Sequence, residues 1–261
     1  MKYNLLGEDM SIINLSNFVP YELKIDVEKS QIIKADNIPL NFSIRKLFDI
    51  KEVIYDQKWI ENQKKNIDLY FMYRDFTRKE DKYLFDQYSI RFDITIIPPK
   101  SLGKEFNKTA GHFHPDAKIG HSYPEVYEVM SGKGIYLLQK ESKDEKLIEI
   151  LIIKAKTGDQ ILIPPGYGHI TINPTKNKLL VMNNLVSSKF NSIYEPIKTK
   201  KGAAYFLLKN GKWIRNLEYS KEIIIKKAKP NRITDKPFYL AFLKNPEQWI
   251  FLNEPWIKND W

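Results

Sequence analysis

The chain has 261 residues, 43% of them hydrophobic and 28% charged, which suits a water-soluble protein with one full-sized core. It has no cysteine, excluding a disulfide framework, a thiolate metal site and a cysteine nucleophile, and no stretch reads as a signal peptide or membrane span, so a cytoplasmic protein is expected. The net charge of +10 does not point to nucleic acid, because only six of the 42 basic residues are arginine (45, 74, 78, 91, 215 and 232) and the other 36 are lysine. Phosphate forks and base readout favour arginine, whereas dispersed lysines form a solvated face whose field attracts a small anionic substrate. Neither a nucleic acid nor a membrane is expected as a partner.

Residues 1–42 alternate short apolar and polar patches without a motif and are expected to pack as an N-terminal segment on the main domain. From Ser43, SIRKLFDIKEVIYDQKWIENQKKN carries apolar residues at three- and four-residue spacing and predicts a helix. The pattern then changes to period two. DLYFMYRDF, YSIRFDITII, PEVYEVM, GIYLLQ, KLIEILIIKA, DQILIPP, GHITIN and KLLVMNNLV predict strands, and AAYFLLKNGKWIRN predicts a hairpin with a two-residue turn at Asn210-Gly211. Many short strands with little helix between them predict an all-β sandwich or jelly-roll barrel over residues 43–219. From residue 220 to 261 a lysine-rich strand precedes an aromatic tail, QWIFLNEPWIKNDW, whose Trp249, Trp256 and Trp261 are expected to pack on the barrel or on a partner subunit.

Three of the four histidines lie in TAGHFHPDAKIGHSYPEVYEVMSGKG, residues 109 to 134. Residues two apart on a strand share a face, which puts His112 beside His114 with Cβ atoms roughly 7 Å apart, close enough for both imidazoles to reach one ion. Glu125 and Tyr127 share a face, with Glu128 on the other, and His169, Thr171 and Asn173 share another. Three imidazoles and a carboxylate are a donor set for a divalent metal with positions left for substrate.

The string GDQILIPPGYGHITIN, with Gly158, Pro164, Gly166, His169 and Asn173, reproduces the second cupin motif, and HFH with Glu125 to Gly132 matches the first. Ten residues separate His114 from Glu125, more than in most cupins; DAKIGHSYP within them reads as a surface loop and His121 as a non-ligand. LGKEFNKTAGHFH followed by EVYEVMSGKGIYLLQ resembles the cupin-type glucose-6-phosphate isomerases known chiefly from archaea, over roughly residues 43 to 215. The resemblance implies a cupin double-stranded β-helix and a homodimer. It implies His112, His114, Glu125 and His169 as ligands of one divalent transition metal per chain, with iron first and manganese, nickel and zinc also suited to the donors. It implies Tyr70, Thr95, Thr109, Gly111 and Tyr194 as the lining of a sugar-phosphate pocket, although SSKFNSIY lacks a histidine and an upstream tyrosine that the family places near the substrate.

The activity it implies is interconversion of glucose 6-phosphate and fructose 6-phosphate, with Glu125 as proton shuttle and Tyr127 orienting the sugar. An isomerase or epimerase of another sugar phosphate, a non-catalytic metal- and sugar-binding regulator, and a metal-dependent dioxygenase are the alternatives. Periodicity leaves one conflict. In IRFDITI, burying Ile90, Phe92, Ile94 and Ile96 in the barrel would expose Thr95, whereas turning Thr95 inward leaves an apolar outer face for another subunit or the N-terminal segment to cover. The second arrangement is expected.

Overall fold

The computed structural model describes residues 11–36, 38–118, 120–142, 147–219 and 223–258. Two antiparallel sheets face each other. The larger has six strands in the order Gln160–Ile163, Glu125–Ser131, Leu180–Ser187, Ile90–Ile97, Asp68–Tyr73 and Ser43–Lys46. The smaller runs Tyr167–Ile172, Lys133–Glu141 and Leu147–Lys156, and is completed by Ile225–Ala228 in parallel pairing. The chain passes repeatedly between the two sheets, as a cupin double-stranded β-helix requires. At the tight corner after Glu125–Ser131, Gly132 has φ +88, and a Cβ there would meet the Leu179 carbonyl oxygen at 2.2 Å.

Two apolar cores flank the larger sheet. One fills the barrel, with Tyr136, Leu137, Ile152, Ile161 and Leu180 among its members. The other lies outside. Phe71, Tyr73, Ile90, Phe92, Ile94 and Ile96 point away from the barrel and are buried there. Their cover comes from this same chain: the N-terminal sheet Ile12–Asn14, Leu23–Asp26 and Gln31–Ala35, the helix Lys79–Gln87, the C-terminal α-helix Phe238–Lys244 and the 3-10 helix Pro246–Leu252. The face left by the sequence to another subunit or the N-terminal segment is thus closed by both chain ends, so it supplies no argument for a dimer. Trp249 is fully buried in that core, while Trp256 remains 37% exposed with the Lys118 ammonium over its ring; Trp261 lies outside the described residues.

The helix expected from Ser43 is not continuous. Ser43–Lys46 is an edge strand beside Asp68–Tyr73, Leu47–Val53 is a 3-10 turn, and only Gln57–Glu61 is α-helical. The apolar spacing was real but closer to three than to 3.6: Leu47, Ile50 and Val53 are all buried, and every third residue is the 3-10 repeat. Ile50 leaves helical geometry at φ −128, and Asp56 starts the α-helix anew by accepting from the Trp59 amide. The helix Lys79–Gln87, with Phe85 alone buried, carries too few apolar residues for its period to have been read.

The hairpin at Asn210-Gly211 forms with a different turn. Leu208 accepts from the Gly211 amide and donates to the Lys212 carbonyl, so three residues form the loop and only Gly211 takes positive φ. Asn210 holds a negative φ and its side chain accepts from the Lys212 amide, which favours a type I turn followed by a glycine bulge over the two-residue turn.

Trp249 tests the outer core. Trp249→Ala should destabilise the protein by about 3–5 kcal/mol, as for other fully buried aromatics, measured by urea unfolding followed by circular dichroism. A cost under about 1 kcal/mol would show that the tail is not part of the cooperative fold.

Candidate metal centre

His112 and His169 come from different motifs and meet through the backbone. Each donates its amide to the other's carbonyl, at 3.3 and 3.0 Å, in an antiparallel bridge. Gly111 precedes this bridge at φ +81, and a Cβ on it would strike the Ile170 side chain at 2.5 Å, so only glycine lets the His112 segment lie so close to the strand. Glu125 opens the strand Glu125–Ser131, where Tyr127 follows on the same inward face.

The four side chains converge. Their ligand atoms all lie within 4.8 Å of one another, with His112 Nε2 3.2 Å from His114 Nε2, and Glu125 Oε2 3.4 Å from His114 Nε2 and 3.3 Å from His169 Nε2. Two donors each about 2.1 Å from a common ion stand roughly 3.0–3.4 Å apart in octahedral or tetrahedral geometry, so the spacing fits one ion. Other observations agree. Glu125 Oε2 is buried without a hydrogen-bond partner, an expensive state for a carboxylate oxygen unless a cation satisfies it. His114 Nδ1 is 2.8 Å from the Tyr123 carbonyl, which favours the tautomer that turns the Nε2 lone pair to the centre.

Electrostatics point the same way. Burial, reinforced by the neighbouring imidazoles, pushes the His112 pKa well below its ordinary value and keeps the ring neutral, as a ligand must be. Burial also lowers His169, against the opposing pull of Glu125. Burial alone would raise the Glu125 carboxyl, but its close approach to His114 and His169 outweighs that and holds it well below its ordinary value. The Tyr127 hydroxyl, 3.2 Å from His169 Nε2, is pushed well up by burial and by the Glu125 charge.

The remaining candidate residues line the same cavity. Tyr70 is buried and its hydroxyl accepts from the Ala110 amide at 3.3 Å; Thr109 Oγ1 accepts from the Thr171 amide at 3.0 Å. Thr95 faces inward as expected, and Tyr194 lies against His112, with ring centroids 5.4 Å apart. His121 is exposed in a ribbon, Asp116–Lys118 with His121–Ser122, away from the four donors. Sequence reasoning missed Arg74, Arg91 and Asn184 in the cavity wall and Phe190 against His114. Arginine scarcity was the available signal: a chain with 36 lysines keeps two of its six arginines here.

A family profile described as glucose-6-phosphate isomerase matches residues 44–223, more than half of the chain. The chain belongs to the glucose-6-phosphate isomerase family. It is 29% identical to the glucose-6-phosphate isomerase of Thermococcus litoralis over 202 residues, covering 74% of this chain and 92% of that one. It is also 29% identical to that of Pyrococcus furiosus over 163 residues, covering 59% and 72%. Among solved structures it is similar to an oxalate oxidase at 19% identity and a TM-score of 0.31, covering 42% of this chain and 47% of that one. The matched segment contains all four donors and the cavity residues, and it excludes most of both chain ends that form the outer core.

Protein purified without chelator should carry about one divalent transition metal per chain, by elemental analysis. Combining His112→Ala with His114→Ala should abolish it, and His121→Ala should leave it unchanged. Full occupancy in the double variant would refute the four-donor site.

Proposed function

We propose that this protein is a metal-dependent aldose–ketose isomerase interconverting glucose 6-phosphate and fructose 6-phosphate. The observation that carries the reading is the convergence of three imidazoles and one carboxylate with an unpartnered oxygen, in a cavity also lined by hydroxyls, in a chain of this family. The proposed ion is a divalent transition metal, iron first, since manganese, nickel and zinc suit the same donors. When bound, it supplies Lewis-acid stabilisation of charge on the oxygens at C1 and C2.

The chain's own residues do the rest. Tyr70, Thr95, Thr109, Tyr194 and the Gly111 amide hold the phosphate and sugar oxygens, supplying binding energy from a non-reacting part of the substrate. Glu125 takes the proton from C2; the freed electron pair forms the C1–C2 double bond, and the carbonyl pair moves to O1, which is protonated. Loss of the O2 proton and return of a proton to C1 then gives the ketose. Tyr127, with its hydroxyl held protonated by burial, donates to a sugar oxygen and orients it. The proposal includes a cytoplasmic homodimer, whose contact would use a surface other than the outer face of the six-stranded sheet.

Two measurements test this. Metal-loaded protein should interconvert the two hexose 6-phosphates and act far more slowly on unphosphorylated hexoses, and Thr109→Val should raise KM for the phosphate ester by about tenfold, the worth of one or two hydrogen bonds, with metal content unchanged. Phosphosugar binding without turnover would favour a regulator instead. C2-deuterated substrate isomerised in ordinary water should lose its label progressively through exchange on Glu125. Complete retention at C1, even during slow turnover by Tyr127→Phe, would count against the shuttle and indicate hydride transfer.

A further inference from the structure

The inward face of the six-stranded sheet carries a charged constellation at the same cavity as the four donors. Asp93 is 1% exposed, and its carboxylate accepts from Arg74 Nη1 at 2.7 Å, from Arg91 Nε at 2.9 and 3.0 Å, and from the Asp75 amide at 2.8 Å. One buried carboxylate is thus covered by two guanidinium groups, leaving this wall with one net positive charge. A guanidinium has five N–H donors. Arg74 gives one to Asp93 and one weakly to Met72 Sδ, and Arg91 binds Asp93 through Nε. Their side chains stay 44% and 28% exposed, and both line the cavity. An ion pair kept only for stability has no need of the second arginine, nor of forks turned to the opening.

Strand register ties this wall to the reacting groups. Asp93 pairs with Asn184, which pairs with Tyr127; Arg91 pairs with Val186, which pairs with Glu125. Arg91 therefore stands two strands from Glu125, roughly 10 Å between backbones at about 4.8 Å per strand. With both side chains reaching into the cavity, the space between them suits one small ligand. The charge of Arg74 is near enough to act on Tyr127, Glu125 and His112. Between wall and metal centre lies Asn184, 2% exposed, whose Nδ2 is buried, has no partner and lines the cavity. An unmatched buried donor beside two half-open guanidinium groups is a set that wants oxygen with negative charge.

We propose that Arg74, Arg91 and Asn184 form an oxyanion-binding wall that contacts the C1–C2 end of the sugar and stabilises the negative charge developing on its oxygens, while the phosphate is held elsewhere in the cavity. The inference rests on the isomerase reading for its reaction and not for its ligand chemistry. Donors held in place by a buried carboxylate need no reorganisation as charge develops, and removing one such donor costs about 10²- to 10³-fold in rate.

The test has two arms. In the binding arm, calorimetry on metal-loaded protein uses a sugar-acid phosphate with a carboxylate at C1, and inorganic phosphate as reference. Arg74→Met combined with Asp93→Asn, which removes the buried carboxylate together with one of its two guanidinium partners and leaves only the partly exposed Arg91 charge, should weaken the sugar acid about 30-fold or more and leave metal content and inorganic phosphate affinity unchanged. Equal affinity for the sugar acid, or an equal loss for inorganic phosphate, would overturn the wall. In the kinetic arm, Arg91→Lys and Arg74→Lys should lower kcat about 10²-fold with KM within about threefold, and added guanidinium should restore part of the rate to Arg74→Met. A tenfold rise in KM with kcat unchanged would assign the arginines to the phosphate and overturn the proposal. An inactive wild-type protein that still loses sugar-acid binding in the double variant would sink the isomerase reading alone.

Discussion

The strand Ile90–Ile97 is buried on both faces, and its polar face is the inner one. Arg91 and Thr95 line the cavity and Asp93, between them on the same face, is held by Arg74 and Arg91, while Ile90, Phe92, Ile94 and Ile96 point out of the barrel. A strand that gives its inward face to chemistry cannot also fill the barrel with those positions, so its apolar residues must be buried on the other side. Full burial of each large apolar side chain contributes about 1.5–3 kcal/mol, and four of them in a row on an open face would be an aggregation surface. Both chain ends are consequences of this constraint. The N-terminal sheet and the C-terminal helices close the outer face with Leu23, Ile25, Phe238, Phe242 and Trp249.

Polar anchors fix where the C-terminal cover docks. Glu128, on the outward face next to the inward Tyr127, accepts from Asn183 and from the Phe238 amide, and burial raises its pKa despite those bonds. Gln160 receives the Ile233 and Thr234 amides, and the Tyr239 hydroxyl donates to Asp81 while accepting from the Arg78 amide. These bonds satisfy backbone groups that would otherwise be buried unpaired, so they specify position more than they add net stability.

The barrel and the convergence of His112, His114, Glu125 and His169 were legible from residues 109–173 because strand period, turn glycines and residue spacing all describe one local geometry. His112 and His169 needed only the two motifs; their bridge is the register those motifs encode. What stayed hidden depends on partners far away in sequence. Arg74 and Arg91 look like ordinary strand-end charges until Asp93 brings them together, and Asn184 sits in an apolar run whose inward face cannot be told from its outward face by pattern alone. The segment from Ser43 misled because a 3-10 turn and a short helix in series share one buried side, and periodicity over a few residues does not separate a repeat of three from 3.6.

The insert before Glu125 shows how site and tail become one structure. Read as a surface loop, it forms an exposed ribbon, but its base is engaged on the barrel. The Tyr123 carbonyl meets His114 Nδ1, the Ser122 hydroxyl accepts from the Gly166 amide, and Tyr123 stacks on Phe190, which itself lies against His114. At its other side the ribbon packs on the turn Pro255–Ile257, where Lys118 sits over Trp256. A donor histidine is useful only if its ring is held in one orientation and tautomer. Here the carbonyl that fixes His114 comes from the insert, whose Tyr123 also stacks on the Phe190 ring beside it, and the insert is braced by the C-terminal tail. The extra length on both sides of the barrel therefore bears on the candidate metal centre through packing and one carbonyl, without adding a side chain to the four that converge there.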